Sequence, residues 1–319
     1  MPLLRYVTAI TALLGIAVSA HADTYPSKPI RLIVPFPPGG TVDVTARAIA
    51  PTLSEVLGQT VVIDNRGGAD GAIGAQAVAK SAPDGYTLLM GSNSSLTVSA
   101  ALRSSLPFDP LRDFSPVSLV GSTPFALVVH TSVPVQSIAE LISLGKSQPD
   151  KLTMAAGGVG HLVGELFQSM TGAKFLHVPF QGVGPASVAL MGGQVDLMFE
   201  QLASAIPSTQ SGKTRALAVT SAQRVTQLPG IPTAIESGVD GYVVESITGI
   251  LAPAGTPLDV VARLNAALNK TLQSPAIRER FATIALRPTP SSPEEFADYL
   301  AQDLARWQKV VKDAGIPRQ

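Results

Sequence analysis

The residues able to do chemistry in this 319-residue chain lie in five short polar or glycine-rich stretches, each following an apolar run. The first is Phe36-Pro37-Pro38-Gly39-Gly40-Thr41, continuing into Val42 and Asp43. Its prolines fix φ, and its glycines let a ligand approach bare backbone amides. Those amides open a helix, where the dipole favours a negative partner. The other stretches are Ser92-Asn93-Ser94-Ser95, Gly157-Gly158-Val159-Gly160-His161, Phe180-Gln181-Gly182-Val183-Gly184-Pro185 and Glu200-Gln201. None contains Lys or Arg. An anionic ligand is therefore held there by amides, helix N-termini, hydroxyls and water. Each stretch also has a plain structural reading. The first is equally an ordinary strand-to-helix connection, and Ser92 to Ser95 equally a helix cap. Glu200 either receives a ligand hydroxyl or ammonium, or is a helix N-cap or solvated edge residue. Asp43 lies in the first turn of its helix and reads as structural.

Catalytic constellations are not evident. There is no G-x-S-x-G elbow. Ser143-Leu144-Gly145-Lys146 matches S-x-x-K, but it is a four-residue match on a predicted surface helix and reads as coincidence. His130, His161 and His177 share no metal-ligand spacing, and no metal site is expected. His161 is placed to hydrogen-bond a ligand from a helix start, whereas His130 and His177 follow strand patterns and read as structural. Gly158-Val159-Gly160 resembles part of a dinucleotide fingerprint, but Gly164 comes one residue late. No cofactor is expected.

The elements that position these stretches alternate between strand and helix patterns from Ile30 onward. Such alternation implies mainly parallel sheets with helices on both faces, which bind ligands beyond the carboxyl ends of their strands. Two groups of loops, early and mid-chain, suggest two lobes facing a cleft. Pro107 to Pro116 reads as irregular, and helices are expected over Leu162 to Met170 and from Ser292 to Gly315, with Trp307 in the core. The composition is 45% hydrophobic and 14% charged, enough for a substantial core. Lys+Arg and Asp+Glu are both 23, which gives no footprint for nucleic acid. Without cysteine, disulfides and thiolate metal sites are excluded. Arg5, the apolar run Val7 to Val18 and Ala20-His21-Ala22 form an export signal with cleavage expected after Ala22.

The set of motifs, in order, resembles the tripartite tricarboxylate transporter substrate-binding receptors, the Bug-type family. It is carried by Pro35 to Asp43, Asp64-Asn65-Arg66, Pro83 to Leu89, Gly91 to Ser94, His161 to Phe167, His177 to Gly182, Gly192 to Phe199, Arg215 to Thr220 and Leu251 to Pro257. The resemblance implies a periplasmic binding-protein fold of type II. Its signal peptide is 1–22, lobe 1 is 23–122 with 249–319, and lobe 2 is 123–248. It implies crossings near Ser122-Thr123 and Ser246 to Thr248, and no catalysis. The first-lobe P-P-G-G and S-N-S-S loops and the second-lobe glycine-rich loops then grip a small carboxylate, partly through water. Three departures fall in the cleft. The loop before His161 is about three residues shorter than usual and lacks the usual Ser or Thr. Glu200-Gln201 stands where Asp-Asn is common, and Ile247-Thr248 replaces a frequent Trp-Phe pair.

The expected protein is a monomeric periplasmic receptor for a small organic acid, serving the membrane components of a tripartite tricarboxylate-type transporter. The alternatives are a periplasmic hydrolase or isomerase acting on a carboxylate, a ligand-sensing partner of a membrane sensor, and a lineage member that has lost binding.

Overall fold

The computed structural model describes residues 25–156, 159–180 and 183–318. The first third forms β1 (Ile30–Val34), α1 (Thr41–Leu57), β2 (Val61–Asn65), α2 (Ala72–Ala79), β3 (Thr87–Ser92), α3 (Ser99–Leu102) and the long β4 (Phe114–His130). The middle forms α4 (Ile138–Ser147), β5 (Thr153–Ala156), α5 (Val159–Thr171), β6 (Leu176–Pro179), α6 (Val183–Met191), β7 (Leu197–Gln201), α7 (Leu202–Gln210) and β8 (Thr214–Val219). The last part forms β9 (Glu245–Pro253), α8 (Leu258–Gln273), α9 (Pro275–Thr283), β10 (Arg287–Pro288) and α10 (Pro293–Asp313). Among the described residues no helix is long and apolar enough to cross a membrane.

Each half is built on three parallel strands, β2-β1-β3 in one and β6-β5-β7 in the other. Their short, continuous apolar runs, such as Ile30–Val34, suit strands covered on both faces. Antiparallel pairing comes in through β4, β8, β9 and β10. One hydrogen-bonded path runs β2-β1-β3-β9-β4-β7-β5-β6. The strand that links the halves is β4: Phe114 to Pro124 pair with β9, whereas Phe125 to His130 pair with β7 and β8. Pro124 stands at this switch, where the absence of its N–H breaks neither ladder. Pro116 sits beside a register shift against β9, a position at which a strand tolerates proline.

The region expected to be irregular up to Pro116 is thus already strand from Phe114. The helix expected from Leu162 begins at Val159, so Gly160 and His161 lie in its first turn. Likewise Gly184 and Pro185 lie in the first turn of α6. Between β3 and α3, Ser94 to Val98 form a wide π-type turn rather than an open loop.

The core of the first half gathers Leu32, Ile49, Leu53, Leu264 and Phe281 between β1, α1, α8 and α9. That of the second gathers Phe125, Leu162, Phe167, Phe199 and Tyr242. Helix α10 starts with a capping box, Ser292 and Glu295, as its sequence predicts. Its early residues Phe296 and Leu300 pack with Leu89 of β3 and Ile247 of β9. Its later residues Trp307, Val310 and Val311 pack with Phe125 and Leu162 of the second. Assigning all of 249–319 to one lobe therefore overlooks that α10, at 21 residues, reaches both cores.

Candidate functional site

The first loop leaves β1 at Val34, directly beside Asn65 at the end of β2. Asp43 organises it. The carboxylate is 2% exposed and accepts from the Gly39 amide at 2.9 Å, from Asn65 Nδ2 at 2.9 Å and from Arg47 Nε at 3.0 Å. Burial pushes its pKa up, but the bonds from Arg47, Gly39 and Asn65 outweigh this and hold it below the ordinary value. Asn65 Nδ2 also donates to the Phe36 carbonyl at 3.1 Å. The Gly39 amide thus serves the fold, and Gly39 needs its glycine for φ +90°. Gly40 does not: its φ is −76°, and an added Cβ would meet little more than the Pro37 carbonyl at 3.9 Å. No side chain caps α1, so its first-turn amides stay open to a ligand. Pro37, Pro38, Gly39 and Gly40 are exposed, with Phe36 and Thr41 half-buried.

The Ser92 to Ser95 segment is turned largely inward. Ser92, Asn93 and Ser95 are buried and Ser94 half-buried. The Ser92 amide donates to Ser95 Oγ at 3.1 Å, and Ser95 Oγ donates back to the Ser92 carbonyl at 3.1 Å. Asn93 Oδ1 accepts from the Ser94 amide at 3.1 Å, while its Nδ2 donates to the Glu245 carbonyl at 3.3 Å. Two readings from the sequence, cap and binding loop, here resolve by atom: most polar atoms of this segment bond within the protein, and Ser94 stays within reach of solvent.

Sequence reasoning passed over Asn65 and the loop from Gly67 to Gly71 as site builders. A Cβ on Gly71 would lie 2.7 Å from Ser95 Cβ and 3.3 Å from the Phe36 ring, and one on Gly67 3.1 Å from Pro37. These glycines let the first two stretches pack together. The signal is present in the glycine spacing of Gly67-Gly68-Ala69-Asp70-Gly71 between β2 and α2.

On the second half, Ala156 pairs with Pro179, so β5 and β6 end together, and β7 runs beside β5 to Glu200-Gln201. Gly157, Gly158, Gln181 and Gly182 lie outside the described residues. Gly160 is buried, and any Cβ there would collide with the Phe199 carbonyl oxygen, so it sets the distance of α5 from β7. His161 stacks on His177 with ring centroids 3.8 Å apart and lies 3.5 Å from Glu165. Burial, then the neighbouring His161, lowers the His177 pKa, with Glu165 opposing. His161 and His177, which share no metal-ligand spacing in the sequence, therefore meet through α5 and β6. Among the described residues no three such groups could hold a metal. Phe180 is half-buried against the Ala126–Leu202 cluster, and Gly184 is exposed.

Glu200 is fully buried, neither a helix cap nor a solvated edge residue. Its carboxylate accepts from Ser187 Oγ and, at 3.3 Å, from Ser208 Oγ. Burial raises its pKa, opposed in part by the hydroxyls of Ser187, Ser204 and Ser208. The next residue points the other way: Gln201 Oε1 accepts from Thr41 Oγ1 at 3.2 Å. That bond joins the first loop to the carboxyl end of β7, across 160 positions of sequence.

Residues 45–316 match the family model described as "Tripartite tricarboxylate transporter family receptor". The chain belongs to this receptor family. It is 42% identical to Protein BugT of Bordetella pertussis over 317 residues, 98% of this chain and 97% of BugT. The solved periplasmic binding protein BugD superposes with a TM-score of 0.76 at 35% identity, covering 92% of this chain and all of BugD. R. palustris Rpa4515, solved with adipate, superposes with a TM-score of 0.79 at 38% identity, covering 92% of this chain and 99% of Rpa4515. The receptor fold here is thus the α/β, two-lobed, type II periplasmic binding protein that the motifs implied. The two halves are its lobes, and β4 and the segment entering β9 are its crossings.

Proposed function

We propose that this protein is an exported receptor that closes on a small organic carboxylate and presents it to the membrane components of a tripartite tricarboxylate-type transporter. It does no chemistry on its ligand. Lobe 1 is taken as 23–122 with 249–319 and lobe 2 as 123–248, with the end of α10 packing on lobe 2, after removal of residues 1–22 in the periplasm. The observation that carries the reading is the Thr41–Gln201 bond, which brings the uncapped start of α1 against the carboxyl end of β7. A carboxylate between them meets helix amides and hydroxyls, with no guanidinium or ammonium in the loops. The open first-turn amides of α1, Gly40, Thr41, Ser94, His161, Gly184 and Gln201 form the contact set, with Gly157, Gly158, Gln181 and Gly182 on the second lobe. Asp43 and Glu200 hold the loops from behind. The adipate found with the relative Rpa4515 supports a dicarboxylate as the first ligand to try.

Thermal melts against mono-, di- and tricarboxylates, aromatic acids and amino acids test this. A ligand at 100 times its Kd adds about 2.7 kcal/mol. That raises the midpoint by roughly 2–4 °C per kcal/mol. We expect one class of acid to raise it selectively, Gly40→Val to abolish the rise without unfolding the protein, and the acid to be recovered unchanged by chromatography. A flat panel on protein stripped of bound ligand, or a product in the chromatogram, overturns the reading.

A further inference from the structure

A cavity of about 400 Å³ lies at the seam between the lobes, apart from the five stretches above. Arg278 and Ala282 of α9, with Ala285 to Pro288 after it, line one side. Leu202 of α7 and the loop from Ser221 to Gln227 line the other, and Pro124 and Glu245 mark the crossing strands. A second hollow of about 420 Å³ adjoins it and shares Gln227, Ala282 and Ala285. The volume falls in the range of small-molecule sites, roughly 300–1,000 Å³.

Its chemistry differs from that of the loop cluster. The floor is apolar, made by Leu202, Val225, Ala285 and Leu286. Three guanidinium groups stand around it. Arg287 is engaged by Glu245 at 2.8 and 3.1 Å, and Arg224 by Glu236 at 2.8 Å. Among the described residues no acceptor in the protein holds the Arg278 guanidinium.

We propose that this cavity is a second binding site, for a small monoanion with an apolar body, whose carboxylate pairs with Arg278 while its chain covers Leu202, Val225 and Leu286. A second carboxylate would lie on the apolar floor, face Glu245, or compete with Glu236 and Glu245 for Arg224 and Arg287, which those carboxylates already hold, and each placement is less favourable than the one at Arg278. The site therefore selects a monocarboxylate where the cleft reading favours a dicarboxylate. Its walls come from both lobes, so an occupant favours the arrangement in which those walls meet. The proposal stands on this cavity alone and goes beyond the cleft reading.

Isothermal titration of the purified protein with octanoate, and with suberate as the chain of equal length charged at both ends, tests it. Arg278→Gln and Ala282→Trp alter the cavity at exposed positions. Arg280→Gln is a control on the same helix, and Gly40→Val reports on the cleft. We expect one octanoate to bind, about tenfold more weakly in Arg278→Gln, not at all in Ala282→Trp, and unchanged in Arg280→Gln and Gly40→Val. Any suberate heat should be insensitive to Arg278→Gln and Ala282→Trp. No octanoate heat at millimolar concentration overturns the second site, as does octanoate binding that both cavity variants leave intact. Loss of octanoate binding in Gly40→Val alone assigns octanoate to the cleft, and overturns the second site while leaving the receptor reading standing.

Discussion

Asp43 and Glu200 are the two carboxylates among the five stretches and their immediate flank, and both are buried for opposite electrostatic ends. Asp43 gains donors that favour its charged form, so it is fit to hold the first loop ionised. For Glu200 burial dominates and the pKa rises. A raised folded-state value means that the group's contribution is fully present below the unfolded value of about 4.3 and is lost as pH rises through the folded one. The ionised form is then a cost near neutrality. Glutamine keeps an acceptor for Ser187 and turns an N–H toward Ser208, whose hydroxyl also donates to the Ala205 carbonyl, without that cost. We expect Glu200→Gln to melt at or above the wild-type midpoint at pH 8, with the difference shrinking as pH falls toward 4. Melts across that range check it; a large loss at pH 8 would mean that the charged carboxylate stabilises the fold.

Among elements, α5 shows how a helix start replaces an expected loop. Its first turn carries Gly160 and His161, and Gly160 lets it lie against the β7 backbone at Phe199. The element is held there by Leu162, Val163 and Phe167, all fully buried. A methyl group at position 160 has no rotamer that avoids the carbonyl. Gly160→Ala should cost about 1–3 kcal/mol, as small-to-large changes in packed regions do. It should also shift His161 relative to His177. Thermal melts and the imidazole proton resonances check the two parts, and a midpoint within error of wild type would mean that α5 moves freely from β7.

For the whole molecule the deciding element is β4, whose two ends serve different ladders. The lobes meet again at α10 and at the Thr41–Gln201 bond. Thr41→Val removes that bond and keeps the side chain's shape. A neutral hydrogen bond contributes about 0.5–1.5 kcal/mol, so the balance between closed and open arrangements should shift by up to about tenfold toward open. Small-angle scattering of the ligand-free variant should show a larger radius of gyration and the melting midpoint should change little. An unchanged scattering curve would show that the bond does not hold the lobes.

The sequence by itself determined the alternation of strands and helices, the receptor family and the positions of the five polar and glycine-rich stretches. Those features rest on local signals: apolar periodicity, proline and glycine punctuation, and ordered motifs. Trp307 could be placed in a core from its stripe, but not in the core of the second lobe, because periodicity reports a buried face and not its partner. The short α9 and two-residue β10 escaped a reading based on long patterns, although Ser274-Pro275 signals a helix start. Tertiary structure alone decided which polar groups of the stretches remain available. Ser92, Asn93, Ser95 and Glu200 look like ligand contacts by type, yet folding buries them and supplies their partners. Gln201 and Thr41, with nothing in the local sequence to link them, meet because β4 carries the chain from one lobe to the other.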